Sequence, residues 1–256
     1  MHYIGIDIGS TGAKAAVISE NGELLFTTSI PTGWSSKDAA QRLREQLEEK
    51  GLLVENMPCV ATGYGRISVP YARKQVTEIT CHARGAVWLH QFSDGIVIDI
   101  GGQDTKVIRI SGGMVQDFLM NDKRSAGTGR FLEVMANAIG MDPAGLCTLS
   151  AQGSGVSISS MCTVFAETEI ISLISKGEPT ENIAFAVVDS ITEKVAAQVR
   201  RLQTGRLPMY LTGGLCECVE LMAALSAKLG VEVTSVPDGR FAGAIGAALC
   251  AAGRNL

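Results

Sequence analysis

The chain has no run of basic residues, and its 22 Lys and Arg against 26 Asp and Glu leave a formal net charge of -4. Nucleic acid, which needs a positive footprint for its phosphates, is therefore not an expected partner. The longest apolar stretch, residues 241–252, is too short to cross a bilayer, and the opening segment MHYIGIDIGS already carries Asp7. Neither an export signal nor a membrane anchor is expected. Cysteine is present but unpatterned: Cys59, Cys81, Cys147, Cys162, Cys216, Cys218 and Cys250 are odd in number and form no paired CxxC motif. That excludes a disulfide framework and fits a cytoplasmic, reducing setting. A free cysteine packs as a small hydrophobe, so any redox role has to rest on particular thiols.

What the chain does have is 46% hydrophobic residues, enough for a large core, and 29 glycines. The first segment reads as strand 3–7, a glycine turn at 9–12, strand 13–18, an Asn21-Gly22 hairpin of type I′, and strand 23–28. The same order returns as strand 95–100, a turn at 101–103, strand 105–110, Gly112-Gly113, and strand 114–120. This repetition predicts two similar halves, residues 1–92 and 93–256, with the last helix free to pack back on the first. Ser35 and Asp38 form a capping box for a helix that stops at Gly51. Further helices are expected at 128–140, 164–176, 180–204, 219–230 and 242–253, with strands at 209–212 and 231–236. Alternation of strand and helix gives an α/β fold with mixed sheets.

The repeated turns carry the chemistry. In Gly5-Ile6-Asp7-Ile8-Gly9-Ser10-Thr11-Gly12-Ala13-Lys14, glycine lets a phosphate approach the backbone, where exposed amides form an anion nest and Lys14 adds charge. The second turn, Asp99-Ile100-Gly101-Gly102-Gln103-Asp104-Thr105-Lys106, repeats the elements. Asp7 and Asp99 at strand ends are candidates to hold hydrated Mg²⁺ against phosphates, and Gln103 or Asp104 to orient water. A later strand ends in Thr212-Gly213-Gly214, and Arg240 to Gly243 opens the last helix, which suits an adenosine pocket. Neither turn has the GxGxxG or GxxxxGK[ST] spacing, so dinucleotide-binding and P-loop folds are set aside. The pattern is that of actin, hexokinase and heat-shock ATPases: two ribonuclease-H-like domains with a nucleotide cleft between them.

The whole chain resembles the ATP-dependent activators of 2-hydroxyacyl-CoA dehydratases, relatives of the ATPase subunits of benzoyl-CoA reductase. The resemblance rests on GIDIGSTGAK at 5–14, ATGYGR at 61–66, EITCHARGA at 78–86, VIDIGGQDTKVI at 97–108, FLMNDK at 118–123, AGTGRFLEVMA at 126–136, SSMCTVFAETE at 159–169 and TGG at 212–214. It implies a cytoplasmic homodimer that binds ATP/ADP with Mg²⁺, takes electrons from reduced ferredoxin or flavodoxin, and shares one 4Fe-4S cluster ligated by two cysteines from each subunit. ATP hydrolysis would then drive a low-potential electron into the dehydratase. It also implies phosphate contacts at Gly9, Ser10, Thr11, Gly12, Ala13, Lys14, Gly101, Gly102, Gln103, Lys106 and the Gly127-Thr128-Gly129-Arg130 turn. Glu133 is placed at the ribose, with Gly213, Gly214, Glu217, Arg240 and Gly243 on the adenosine side.

The sequence departs from that pattern at one cluster ligand. Cys162 matches, but the second cysteine, expected directly after Asn121-Asp122-Lys123, is Arg124. Arginine cannot ligate iron in a thiolate's place. Either residue 124 is a substitution, or the cluster is lost and the ATPase kept, or another thiol such as Cys216 or Cys218 stands in. A small-molecule kinase and a cluster-free ATP-dependent binding module remain alternatives. Glu167 and Glu169 are equally compatible with polar contacts at the nucleotide or dimer side and with a solvated helix face, and Arg66 with contact to the partner enzyme or closure of the dimer and with a plain loop role; His82 is expected at the start of a helix, packed or capping.

Overall fold

The computed structural model describes residues 1–121, 128–159, 163–202 and 205–254. These divide into two compact units. The first contains Met1–Asp94, Ile110–Gln116 and Val236–Leu256; the second contains Gly95–Arg109 and Asp117–Ser235.

In the first unit, β1 (His2–Ile8) is central because its residues from Ile4 onward are all buried. It pairs antiparallel with β2 (Gly12–Ser19) and parallel with β4 (Cys59–Thr62). β3 (Leu24–Pro31) and the short β5 (Lys74–Gln75) flank these, giving the order β3-β2-β1-β4-β5. Alternation along β2 sends Ala13, Ala15 and Val17 to one core and Ala16 and Ile18 to another. The first face is covered by α1 (Ser36–Glu49), whose Ala39, Ala40, Leu43 and Leu47 make one buried stripe; Ser35 caps it by accepting from the Asp38 amide at 3.2 Å. The second face carries α8 (Ala242–Ala251), with α2 (Glu78–His90) packed beside it.

That second layer is close because three glycines permit it. A Cβ on Gly246 would fall within the Cys81 carbonyl, one on Gly85 within the Ala242 carbonyl, and one on Gly5 within the Ala244 carbonyl. The helix therefore rests its backbone on the strand and on its neighbour, an approach that a methyl group prevents.

The second sheet repeats the first: β6 (Gly95–Ile100) lies parallel to β9 (Met209–Gly213), which lies parallel to β10 (Val233–Thr234), and β7 (Thr105–Ser111) and β8 (Met114–Met120) complete the order β10-β9-β6-β7-β8. The two orders have the same connectivity. Its core is larger and is built by α3 (Gly129–Ala138), α4 (Pro143–Ser150), α5 (Thr163–Ser175), α6 (Thr180–Arg201) and α7 (Val219–Leu229). α6 buries Ile183, Val187, Ile191, Val195 and Val199 at helical spacing.

Several local expectations are corrected. The 19–23 turn is not type I′: Gly22 has φ 87° but Asn21 is not in the left-handed region, and the Gly22 amide donates to the Ser19 carbonyl at 3.0 Å. One glycine after a tight turn is a three-residue hairpin with a bulge, which needs positive φ once rather than twice. α2 begins at Glu78, four residues before His82, after the Thr77 N-cap position. α4 was not expected; Asp142 caps it through Gly145 at 2.6 Å and Pro143 opens it. β10 is two residues long, not six, because residues 237–241 turn into a 3₁₀ helix led by Pro237.

Alanine at Gly246 or at Gly5 is expected to destabilise the protein by about 1–3 kcal/mol through overpacking. Urea unfolding midpoints check this; unchanged midpoints in both variants would show that the backbones do not meet there.

Candidate functional site

β1 ends at the first candidate carboxylate. Asp7 is 2% exposed, and its Oδ1 accepts no hydrogen bond among the described residues. The neighbours leave it room. Asp7 pairs across the sheet with Thr62, and the next residue, Gly63 (φ 85°), lies so close that a side chain there would strike Asp7 Oδ1. Gly243, at the start of α8, lies against the other oxygen, where a Cβ would stand 2.5 Å from Oδ2. A buried carboxylate with an unused oxygen is costly unless something satisfies it, so Asp7 is a candidate ligand position.

The turn after Asp7 is held from both ends. The Gly9 amide donates to the Gly12 carbonyl at 3.1 Å, the Thr32 hydroxyl donates to the Gly9 carbonyl at 2.8 Å, and the Thr32 amide donates to the Thr11 carbonyl at 3.0 Å. No protein acceptor among the described residues takes the Ser10 or Thr11 amide. Ser10 is half-buried and Thr11 exposed, so these residues lie at the surface of the unit and their amides are candidates for an anion nest. Lys14 is half-buried, and Ala13 is fully buried as part of β2.

The second unit has the same frame with a different occupant. Asp99 ends β6 at 2% exposure, pairs across the sheet with Thr212, and accepts from its hydroxyl at 3.4 Å; Gly213 (φ 90°) packs on Asp99 Oδ1 as Gly63 packs on Asp7. Here a lysine fills the space. Lys106 is 1% exposed and its Nζ lies 3.1 Å from Asp99 Oδ2 and 2.8 Å from Asp104 Oδ1. Lys14 occupies the matching position in the first half, where residue 12 is glycine rather than aspartate and no ion pair with Asp7 forms. Asp7 and Asp99 thus differ in charge environment although they share a backbone.

The Gly101 amide donates to the Asp104 carbonyl at 2.9 Å, closing the second turn as Gly9 closes the first, and the Gly102 and Gln103 amides have no protein acceptor among the described residues. The carbonyls of this turn are used by α3: Gly129 and Arg130 donate to Gly101 and Gly102, both at 2.8 Å. Phe131 donates to the Thr128 hydroxyl that caps the helix. The leading amides of α3 therefore brace the phosphate turn instead of facing solvent. What α3 presents outward is Arg130, 61% exposed and 3.0 Å from Glu133.

Gly214 donates to the Ile100 carbonyl at 3.1 Å, beside Asp99, and Glu217 is exposed on the following turn. Arg240 lies half-buried in the 3₁₀ helix before α8, in the first unit with Gly243. Gly127, Arg124 and Cys162 lie outside the described residues. Thr62 and Gly63 were missed in the sequence. The signal was there, since Thr62-Gly63 repeats Thr212-Gly213 at the end of the strand beside each aspartate.

A model of the BadF/BadG/BcrA/BcrD ATPase family matches residues 4–251. The chain is 39% identical to the (R)-2-hydroxyglutaryl-CoA dehydratase activating ATPase of Acidaminococcus fermentans, over 98% of this chain and 97% of that one. The solved activator of the 2-hydroxyisocaproyl-CoA dehydratase from Clostridium difficile, with bound ADPNP, superposes with a TM-score of 0.91 at 36% identity, covering 99% and 95% of the two chains. A ROK family glucokinase from Streptomyces griseus, TM-score 0.63 at 17% identity over 97% and 98% of the chains, shares the fold alone.

The difference between the two aspartates gives a contrast in stability. Lys106→Met removes the buried ammonium 3.1 Å from Asp99 and is expected to cost about 3–5 kcal/mol. Asp7→Asn removes a charge that has no partner cation and is expected to leave the unfolding midpoint unchanged or higher. Equal losses in both variants would contradict the assignment.

Proposed function

The chain belongs to the BadF/BadG/BcrA/BcrD ATPase family and is an ATPase; from that premise we propose that its ATP turnover activates a 2-hydroxyacyl-CoA dehydratase-like partner enzyme. The observation that carries the reading is the pair of turns, each closing a buried strand on a carboxylate and leaving two backbone amides without a protein acceptor. Oriented amides of this kind bind phosphate oxygens at little reorganisation cost. Phosphate-binding groups are offered in the first unit by Ser10, Thr11 and Lys14, and in the second by Gly101, Gly102 and Gln103. Asp7, with its unused Oδ1, would hold hydrated Mg²⁺, which neutralises phosphate charge when bound. Gln103, exposed beside the second turn, orients the attacking water. Lys106 secures Asp99 and Asp104 so that the second turn keeps its shape.

An iron-sulfur cluster shared across a homodimer needs four thiolates, and this chain does not fit it. Of the two positions expected to supply ligands, one is Cys162 and the other Arg124. The remaining thiols do not make up the difference. Cys59, Cys81, Cys147 and Cys216 are buried; Cys218 lies beside Cys147, a pairing that lowers its thiol below the usual range, and Cys250 packs on Cys81. No electron-transfer step is therefore assigned to this chain, and what remains is activation by nucleotide-driven change of shape. A kinase on the same fold rests on fold similarity alone.

ATP hydrolysis by the purified protein is expected to persist without iron, and Asp7→Asn to lower it by at least about tenfold. Anaerobic iron analysis is expected to find the native chain essentially iron-free and Arg124→Cys to take up iron. A native chain purified with a stoichiometric cluster would overturn the cluster-free reading. ADP formation that depends on one member of a metabolite panel would favour a kinase.

A further inference from the structure

Two of the described cysteines sit where the close packing of α2 and α8 brings their side chains together. Gly246 lies against the Cys81 carbonyl, and Cys250 is one turn further along the same face of α8. Cys81 is fully buried, in a small cluster with Val60 and Ala247, and Cys250 packs on that cluster while staying half-exposed. The two side chains meet in this cluster, Cys250 packing on it from the more exposed side.

The surroundings of Cys250 are cationic. Arg84, one turn after Cys81 on α2, places Nη1 3.2 Å from Cys250 Sγ, and Lys74 on β5 adds a second positive charge. The neighbouring Cys81 thiol comes first, and with the two cations it brings the Cys250 thiol down to about 6, while the same pairing and burial push Cys81 up. Cys250 is thus the more acidic and the more exposed of the two sulfurs, with the buried Cys81 thiol behind it. The second unit has a comparable pair, Cys147 and Cys218, but there Cys218 Sγ lies 3.8 Å from the Glu220 carboxylate. An anion beside a sulfur disfavours its thiolate, so the two pairs are not equivalent.

We propose that Cys81 and Cys250 form an oxidant-reactive dithiol, with Cys250 as the attacking thiolate and Cys81 as the resolving thiol, and that hydrogen peroxide converts them to a disulfide joining α2 to α8. The Cys250 thiolate attacks one peroxide oxygen, breaking the O–O bond, to give a sulfenic acid and hydroxide. The Cys81 sulfur then attacks Cys250 Sγ, forming the S–S bond and expelling the sulfenic oxygen as water after proton transfer. Two thiols lose two electrons and one peroxide becomes two waters. Arg84 is a positioning residue in this chemistry: it holds the thiolate without contacting the peroxide oxygen that is transferred.

The test uses the full chain, reduced and then exposed to hydrogen peroxide in anaerobic buffer, with peptide mass spectrometry at intervals. The expected product is a peptide pair joined through Cys81 and Cys250, lighter by two hydrogens and restored by dithiothreitol, while Cys147 and Cys218 stay reduced at early times. Cys250→Ser is expected to abolish the cross-link and leave Cys81 a free thiol. Arg84→Gln is expected to slow its formation by about tenfold, and Arg84→Lys to recover most of the rate, which a purely structural arginine would not do. Thermal melts establish that each variant is folded. Cross-linking first at Cys147 and Cys218, irreversible oxidation of Cys250 with Cys81 untouched, or an Arg84→Gln rate equal to that of the native chain would each overturn the proposal.

Discussion

A carboxylate buried at the end of a central strand sets the terms for everything around it. It needs neighbours without side chains on one side, and on the other either a counter-charge or a ligand. In the first unit Gly63 and Gly243 supply the room and nothing in the described protein supplies the charge. In the second unit Gly213 supplies the room and Lys106 the charge. The strand order, the crossover to the parallel neighbour and the Thr-Gly pair that ends that neighbour are the same in both. What differs is whether the carboxylate is already satisfied. The duplicated frame thus holds one carboxylate with an unused oxygen and one whose ion pair with Lys106 holds a turn in place.

That division extends to the helices. α3 uses its leading amides to hold the carbonyls of Gly101 and Gly102, so the amides of the second turn point in a fixed direction. The first turn is braced by Thr32 from β3 instead. Preorganised amides matter because a loose loop would lose part of its binding free energy in ordering itself around the phosphates.

Much of this was legible in the residues. The repeat of strand, glycine turn and strand identified the duplication, and the in-phase aspartates located the ends of β1 and β6. The helices with clear apolar spacing were found within a few residues of their ends. Three kinds of feature escaped. Short elements such as β4, β5 and α4 have too few residues to show a period. The bulged turn at Gly22 and the early start of α2 depend on local hydrogen bonds rather than on composition. The ion pair of Lys106 depends on burial, which the sequence does not display: Lys14 and Lys106 look alike in their motifs, and the identity of one nearby residue, Gly12 or Asp104, separates them. Gly243, which the resemblance places on the adenosine side, also packs against Asp7, a contact its motif does not display.

The return of α8 to the first sheet also bears on how the chain acquires its structure during synthesis. β1, β2 and β4 leave the ribosome early, but the helix that covers one of their faces is encoded after the whole second unit. Until it arrives, Ala16, Ile18 and the backbone of Gly5 lack their cover. The second unit, whose segments lie within residues 95–235, has all of its strands and helices in hand first. The order of completion is therefore the reverse of the order of translation, and the nascent first half spends that interval with an apolar sheet face open to chaperones and to other nascent chains.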